Sequence, residues 1–507
     1  MKFLSKKHRR YLLIGAAAVI LLLTCLFLGN AFGLKTRVDS SLKLIQASRG
    51  LNSYDIDVEF DPETKMLRCN QKVEYINKSE DQLDHLYFHL YPNAYQYENK
   101  PVFDKYEMLQ AYPNGFSPGF IEIYDVRVDG RKANYVIGGY TENVIMLILE
   151  GSLSPGGQAL IEMDYAVQLP NCLGRFGYGD NMFKVVNWYP IASVYDENGW
   201  NLDPYYSIGD PFYSDAANYH VTIKAPADYI IASTGRVKSK REENGSVIWE
   251  VDAPAVRDFA WLTSNAFETA SKMVEGTMVT SYFFTQEAGM KVLDYAAGAL
   301  EYYNKVFGKY PYAHFAVVES DFFIGGMEYP NLIMVDHSLY QNDRHGYLEL
   351  ITVHETAHQW WYGLVGNNQI QDAWIDEGLT EYSTVLYYGY KYGEEKEEEI
   401  YKSIVGEGKY KNLQVYYDSD DIDETIHKPS YAFENWMLYD ILVYGKGSML
   451  FHSLREQMGD KLFFTALNEF FKEYQFRNAG KDDIIRVFNQ VSGMDWEQHF
   501  NNWLYDE

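Results

Sequence analysis

The stretch HETAHQWWYG, residues 354–363, sets His354 and His358 four positions apart with Glu355 beside the first. On a helix, residues at that spacing share a face, so both imidazoles can address one divalent ion. Glu355 then stands where its carboxylate reaches a water bound to the same ion. A catalytic zinc site usually takes three protein ligands and keeps a fourth position for water, so another ligand must come from a neighbouring element. Glu377, in WIDEGLTEY at the start of the next predicted helix, is the candidate. Two polar residues on an ordinary helix are the plain alternative for the histidine pair alone. A glutamate at one further fixed spacing makes that coincidence rarer.

These residues need a scaffold, and its elements show in the periodicity. YDIDVEF puts Tyr54, Ile56, Val58 and Phe60 on one face and acids on the other, the period of a strand. YHVTIKAP repeats it with Tyr219, Val221 and Ile223 and ends at Pro226. Turn signals such as Asp61-Pro62, Asn114-Gly115, Pro155-Gly156-Gly157 and Glu243-Asn244-Gly245 punctuate the stretch. Residues 50–270 therefore read as a β-rich domain. Beyond it, GMKVLDYAAGALEYYNKVFG (289–308) carries apolar residues at helical spacing and stops at a glycine shortly before Pro311. Helix signals continue over 346–362, 376–390, 440–458 and 460–474, which makes 271–507 a mainly helical domain. The predicted fold class is α+β.

The 507-residue chain, 47% hydrophobic and 16% aromatic with 45 Tyr and 10 Trp, has the composition of a folded globular protein of two domains. At the amino terminus Lys2, Lys6, Lys7, Arg9 and Arg10 precede an uncharged run from Tyr11 to Leu34. At about 1.5 Å per residue that run is long enough to span a bilayer as a helix. The expectation is a basic cytoplasmic tail over 1–10, a transmembrane helix over 11–34 in contact with lipid, a linker over 35–49, and a single-pass protein with an extracellular body. A signal peptide cleaved near Gly29-Asn30-Ala31 is the alternative. The formal charge of −27 argues against a nucleic-acid partner. Of the three cysteines, Cys25 falls in the apolar run, and Cys69 and Cys172 are too few for a zinc cluster or a disulfide framework, though they could pair.

The pattern His-Glu-x-x-His followed by Glu377, with Gln359-Trp360 after the second histidine and Gly378 after the third ligand, resembles the gluzincin zinc aminopeptidases related to membrane alanyl aminopeptidase and leukotriene hydrolase. FGKYPY (307–312), GGMEYP (325–330) and YGKG (444–447) stand in that family's order and spacing, and LYFHLYPNA (86–94) and NWYP (187–190) look like its amino-terminal domain. The resemblance implies an antiparallel, saddle- or sandwich-like β-domain followed by a thermolysin-like catalytic domain. It implies one Zn2+ per chain, held by His354, His358 and Glu377, with peptides as substrates. Glu355 is then general base and afterwards acid. Tyr444 corresponds to the tyrosine that stabilises the oxyanion. Glu328 corresponds to the glutamate that binds the free α-amino group, with Gly325 and Gly326 letting the backbone run close to the peptide.

The chain departs from the pattern in three places. Tyr329 stands where many members have Asn, and the family's further contact to the amine has no evident counterpart in GRFGYGDNMFKVVNWYP. The chain also finishes at NNWLYDE, about where the catalytic domain of relatives ends. That implies a more open cleft unless a partner or a second copy covers it. Beside the aminopeptidase stand two alternatives: a zinc endopeptidase or dipeptide-releasing enzyme, and a non-catalytic binding protein on the same fold.

Overall fold

The computed structural model describes residues 43–417 and 422–506. Alternation builds its first half. Along Ser53–Asp61 every second residue is buried, which places Tyr54, Ile56, Val58 and Phe60 inward as the period of two requires. Ala217–Pro226 alternates in the same way. Both strands lie in the middle of an eight-stranded sheet whose order is Arg236–Glu243, Ser246–Val256, Ala217–Pro226, Ser53–Asp61, Met66–Ile76, Gln158–Gln168, Phe120–Val128 and Arg131–Lys132. Two smaller four-stranded sheets accompany it. Phe60 packs edge-on against Phe183 and Trp261 of one of them, with ring centroids 4.8 and 5.8 Å apart.

The expected antiparallel sheet needs one correction. Ser53–Asp61 and Ala217–Pro226 run parallel, register Tyr54 to Tyr219 and Ile56 to Val221. Strands joined by a hairpin must be antiparallel, whereas strands so far apart in sequence are free of that constraint. The Tyr54 and Tyr219 rings stack across this pair, 4.7 Å apart.

The second half opens on another sheet, ordered Glu268–Val274, Thr277–Phe283, His314–Ser320, Leu332–Asp336 and Gly326–Met327. Its central pairings are parallel and the last, at the edge, is antiparallel. Helix α1 (Gln286–Val306) packs on the first two of these strands and against α2 (Tyr347–Ala357). Helix α3 (Ala373–Tyr392) follows α2, and α4 (Gly447–Met458) crosses α3. Trp360, Trp361 and Trp374 are buried between these elements.

Among the described residues no helix is long and apolar enough to cross a membrane. The expectation of a transmembrane helix over 11–34, with its lipid contact and single-pass extracellular placement, is corrected accordingly: no spanning helix is found among the described residues, and the expectation is not carried further. Residues 1–42, including the tail and the uncharged run, lie outside the described residues. Helix α1, at 21 residues long enough to span, carries Glu287, Lys291, Asp294, Glu301 and Lys305. One face is buried and the other is charged, the pattern of a helix lying on a protein core. Cys69 and Cys172 are buried free thiols and form no disulfide with each other.

Candidate active site

Helix α2 is expected to continue to residue 362 but ends at Ala357, with His358 as its cap. The Gly363 amide returns to the His358 carbonyl at 2.8 Å, and Tyr362 takes φ +106°, so the chain turns sharply after the second histidine. That turn brings the Trp361 carbonyl to His358 Nδ1 at 3.0 Å. On the other imidazole, His354 Nδ1 meets Glu381 Oε2 at 2.9 Å. With both Nδ1 atoms donating, the Nε2 lone pairs face each other 3.1 Å apart. Glu377 Oε2, from the second turn of α3, lies 3.4 Å from His354 Nε2 and 3.1 Å from His358 Nε2. Ligands at about 2.0–2.1 Å around a tetrahedral zinc stand roughly 3.3 Å from one another. Those three atoms therefore have the separations of a zinc ligand set. Glu355 Oε2 and Glu377 Oε2 are buried without a hydrogen-bond partner, which a cation would remedy.

Glu355 sits beside the edge strand Gly326–Met327. A Cβ built on Gly326 would fall 1.9 Å from Glu355 Oε1, so the glycine is there to make room for that carboxylate. Gly325 takes φ +97° with open space around it and forms the turn into the strand. Glu328 follows the strand, buried, with Gln369 Nε2 donating to its Oε1 at 2.9 Å. Ligand atoms of Glu328, Glu355 and His358 all lie within 4.8 Å of one another. Burial raises the Glu355 carboxyl above its ordinary range, opposed by the pull of His354 and reinforced by Glu328.

Tyr444 lies in a π-helical segment, Asp440–Lys446, that runs straight into α4. A π turn adds a residue to the helical repeat and re-aims the side chains around it. The crossing of α3 and α4 is tight: a Cβ on Gly378 would lie 3.0 Å from the Gly447 carbonyl carbon. Two glycines thus let the helices meet beside Glu377, and Tyr444 donates its phenol proton to Glu377 Oε1 at 2.5 Å. Burial and the Glu377 carboxylate push the phenol well above its usual range, which keeps it a donor.

Sequence reasoning missed four charged groups around this cleft of about 470 Å³. Glu381, one turn beyond Glu377, holds His354; its carboxyl is kept low, about 2, because Lys409 and His354 outweigh the cost of burial. Lys409 itself comes from a short helix, Gly406–Tyr410. From the β-rich half come Arg175 and Asp210, a buried pair 2.7 Å apart. Burial pushes Asp210 up against the pull of Arg175, and the neighbouring Glu328 adds to the rise. Glu381 could have been found from its spacing, one helical turn past a ligand. The others stand in loops and short turns with no periodic signal. Tyr329 turns away from the cleft and donates to Asn187 at 3.2 Å, so its presence carries no argument for an endopeptidase.

A sheet with an antiparallel edge, two helices presenting two imidazoles and a carboxylate, and a second carboxylate beside them make up a site of the zinc-hydrolase type. Residues 291–503 match the Peptidase family M1 domain. Aminopeptidase N of Lactococcus lactis is 29% identical over 225 residues, 42% of this chain and 26% of that protein. Human endoplasmic reticulum aminopeptidase 2 is 24% identical over 377 residues, 67% of this chain and 36% of that one. The chain thus spans well under half the length of these relatives. In three dimensions it is similar to the M1 zinc metallopeptidase of Deinococcus radiodurans, in a mutant form, with TM-score 0.63 and 17% identity over 90% of this chain and 94% of that one. That enzyme has also been solved bound to a Tyr-Ser-Ala substrate. Over residues 291–503 the chain is thus similar to the M1 family of peptidases, and over most of its length it shares the fold of an M1 zinc metallopeptidase.

Proposed function

We propose that this protein is a zinc aminopeptidase that removes amino-terminal residues from peptides. In this reading one ion per chain is held by His354, His358 and Glu377. A zinc ion bound there supplies Lewis acidity and a water of lowered pKa. Glu355, freed of steric conflict by Gly326, accepts the proton of the attacking water and passes it to the departing amine. Tyr444 offers its phenol proton to the oxygen that gains charge, exchanging its bond to Glu377 for one to substrate. The chain divides into a β-rich unit over 50–270 and a catalytic unit over 271–507, and both line the cleft.

The observation that carries the exopeptidase reading is Glu328. It is a second buried carboxylate in the same cleft as Glu355, with ligand atoms of the two lying within the same 4.8 Å cluster. A substrate ammonium placed there would neutralise it, whereas an acetylated or internal peptide would leave the charge buried and unpaired. A bound tripeptide in the Deinococcus enzyme is consistent with peptides as substrates here. The test is a pair of identical peptides, one with a free and one with an acetylated amino terminus. Release of the first residue from the free peptide alone supports the assignment, and equal cleavage of both rejects it.

A further inference from the structure

One lysine beside the cleft, on a short helix, has no part in the motifs. Lys409 lies in Gly406–Tyr410 and follows a turn with no apolar periodicity. Its ammonium nevertheless stands 2.8 Å from Glu381 Oε1 and 2.6 Å from Asp440 Oδ1, and lies 4.6 Å over the centre of the Tyr444 ring. We propose that Lys409 is a positioning residue that joins the two halves of the catalytic site, orienting the ligand His354 through Glu381 and the donor Tyr444 through its ring and Asp440.

Three features support this, resting on the zinc-site reading given above. The first is the division of labour on Glu381. One oxygen holds His354 Nδ1 and the other faces Lys409, so the carboxylate is engaged from both sides. A carboxylate behind a ligating histidine fixes the ring and strengthens it as a ligand, and loss of such a partner typically costs about 10–100-fold in metal affinity or activity.

The second is the π segment. Asp440 begins it and Tyr444 lies inside it, so the ion pair at Asp440 ties its first turn to the same ammonium. A Cβ on Gly445 would come within 3.1 Å of Lys409 Cβ and 3.3 Å of the Tyr410 amide nitrogen, so the lysine's turn is seated directly on the segment. The third is orientation. The Tyr444 and His354 rings lie 5.9 Å apart and nearly parallel, at 17°, so the lysine lies over one of two stacked rings and pairs with the carboxylate that holds the other. The ion pair with Glu381 is buried on the carboxylate side and only 22% exposed on the lysine side, where solvent screens it little.

The experiment uses the full chain with Lys409→Met, Lys409→Arg, Asp440→Asn and the double variant Lys409→Met, Tyr444→Phe. Zinc affinity is measured by competition with a chromogenic chelator, and kcat and KM on a free aminoacyl substrate. Lys409→Met should bind zinc about 10–100-fold more weakly and lose about tenfold or more in kcat, with KM little changed. Lys409→Arg should recover most of both. Asp440→Asn, at a half-exposed position, should lower kcat while leaving zinc affinity intact. The double variant should lose less than the product of the single losses. Wild-type zinc affinity and kcat in Lys409→Met overturn the inference, as does an arginine variant no better than the methionine one. Should Lys409→Met fail to fold, an Asp440→Asn enzyme with unchanged kcat overturns it instead. Those failures leave the proposed function standing. A wild-type protein that holds no zinc removes both.

Discussion

Two regions of the molecule bury different things. In the eight-stranded sheet the inward positions of Ser53–Asp61 are Tyr54, Ile56, Val58 and Phe60, and its acids face outward. In α2 and the first turns of α3 the buried set includes His354, Glu355, Asp376, Glu377 and Glu381. Apolar burial stabilises at about 25 cal/mol per Å², while a buried charge costs unless something pairs it. The sheet around Ser53–Asp61 is thus organised for stability, and α2 with the start of α3 gives up stability to hold charges in one place.

Replacing Glu355 by Gln should sharpen this contrast most. Turnover should fall by about 10²–10⁴-fold with the loss of the base, while metal content stays at wild type. Because Glu355 Oε2 is buried without a partner, the melting temperature should stay level or rise. A large fall in melting temperature would break the comparison. Tyr444→Phe should cost about 10²–10³-fold in kcat with KM nearly constant, as expected for a donor used only as charge develops. Steady-state kinetics on an aminoacyl substrate reads it directly.

In the other half the expected signs reverse. Ile56 is fully buried, and Ile56→Ala should cost about 2–5 kcal/mol in denaturant unfolding with kcat of the folded fraction unchanged. The smallest effect concerns pH. His89 is buried, and burial pulls its pKa down from 6.5 to about 4. The unfolded chain therefore binds the proton first as pH falls, so the stability is complete above about pH 6.5 and drains away towards pH 4. At pH 5 the loss should be about 2 kcal/mol relative to neutral pH. A His89→Gln variant should show a flatter dependence over that window, and an equally steep one would place the acid lability elsewhere.

The strands of the first half were legible because one buried face writes a period of two into the sequence, as YDIDVEF and YHVTIKAP show. What that period could not give was the parallel pairing of the two, which depends on a partner far away in the chain. The candidate ligand set was legible because His354 and His358 stand at helical spacing and Glu377 follows at one further fixed spacing on the next helix. Gly326 was legible as a glycine but not for its reason, which is the Glu355 carboxylate that occupies the space of its side chain. Arg175, Asp210 and Lys409 were not legible, because each acts from a segment with no repeat.

Local periodicity and residue chemistry thus fixed, from the sequence alone, the β-rich first half, the helical second half and the residues able to hold a metal. An uncharged run of sufficient length does not by itself establish a spanning helix, and among the described residues none is found. Only the tertiary structure decided that α2 stops at the second histidine, that a π segment delivers Tyr444 to Glu377, and that one lysine touches both sides of the site. Those outcomes depend on which backbones approach each other, at Gly378 and Gly447 and at Gly445 and Lys409. Close approach is a property of packed pairs, and no single stretch of sequence carries it.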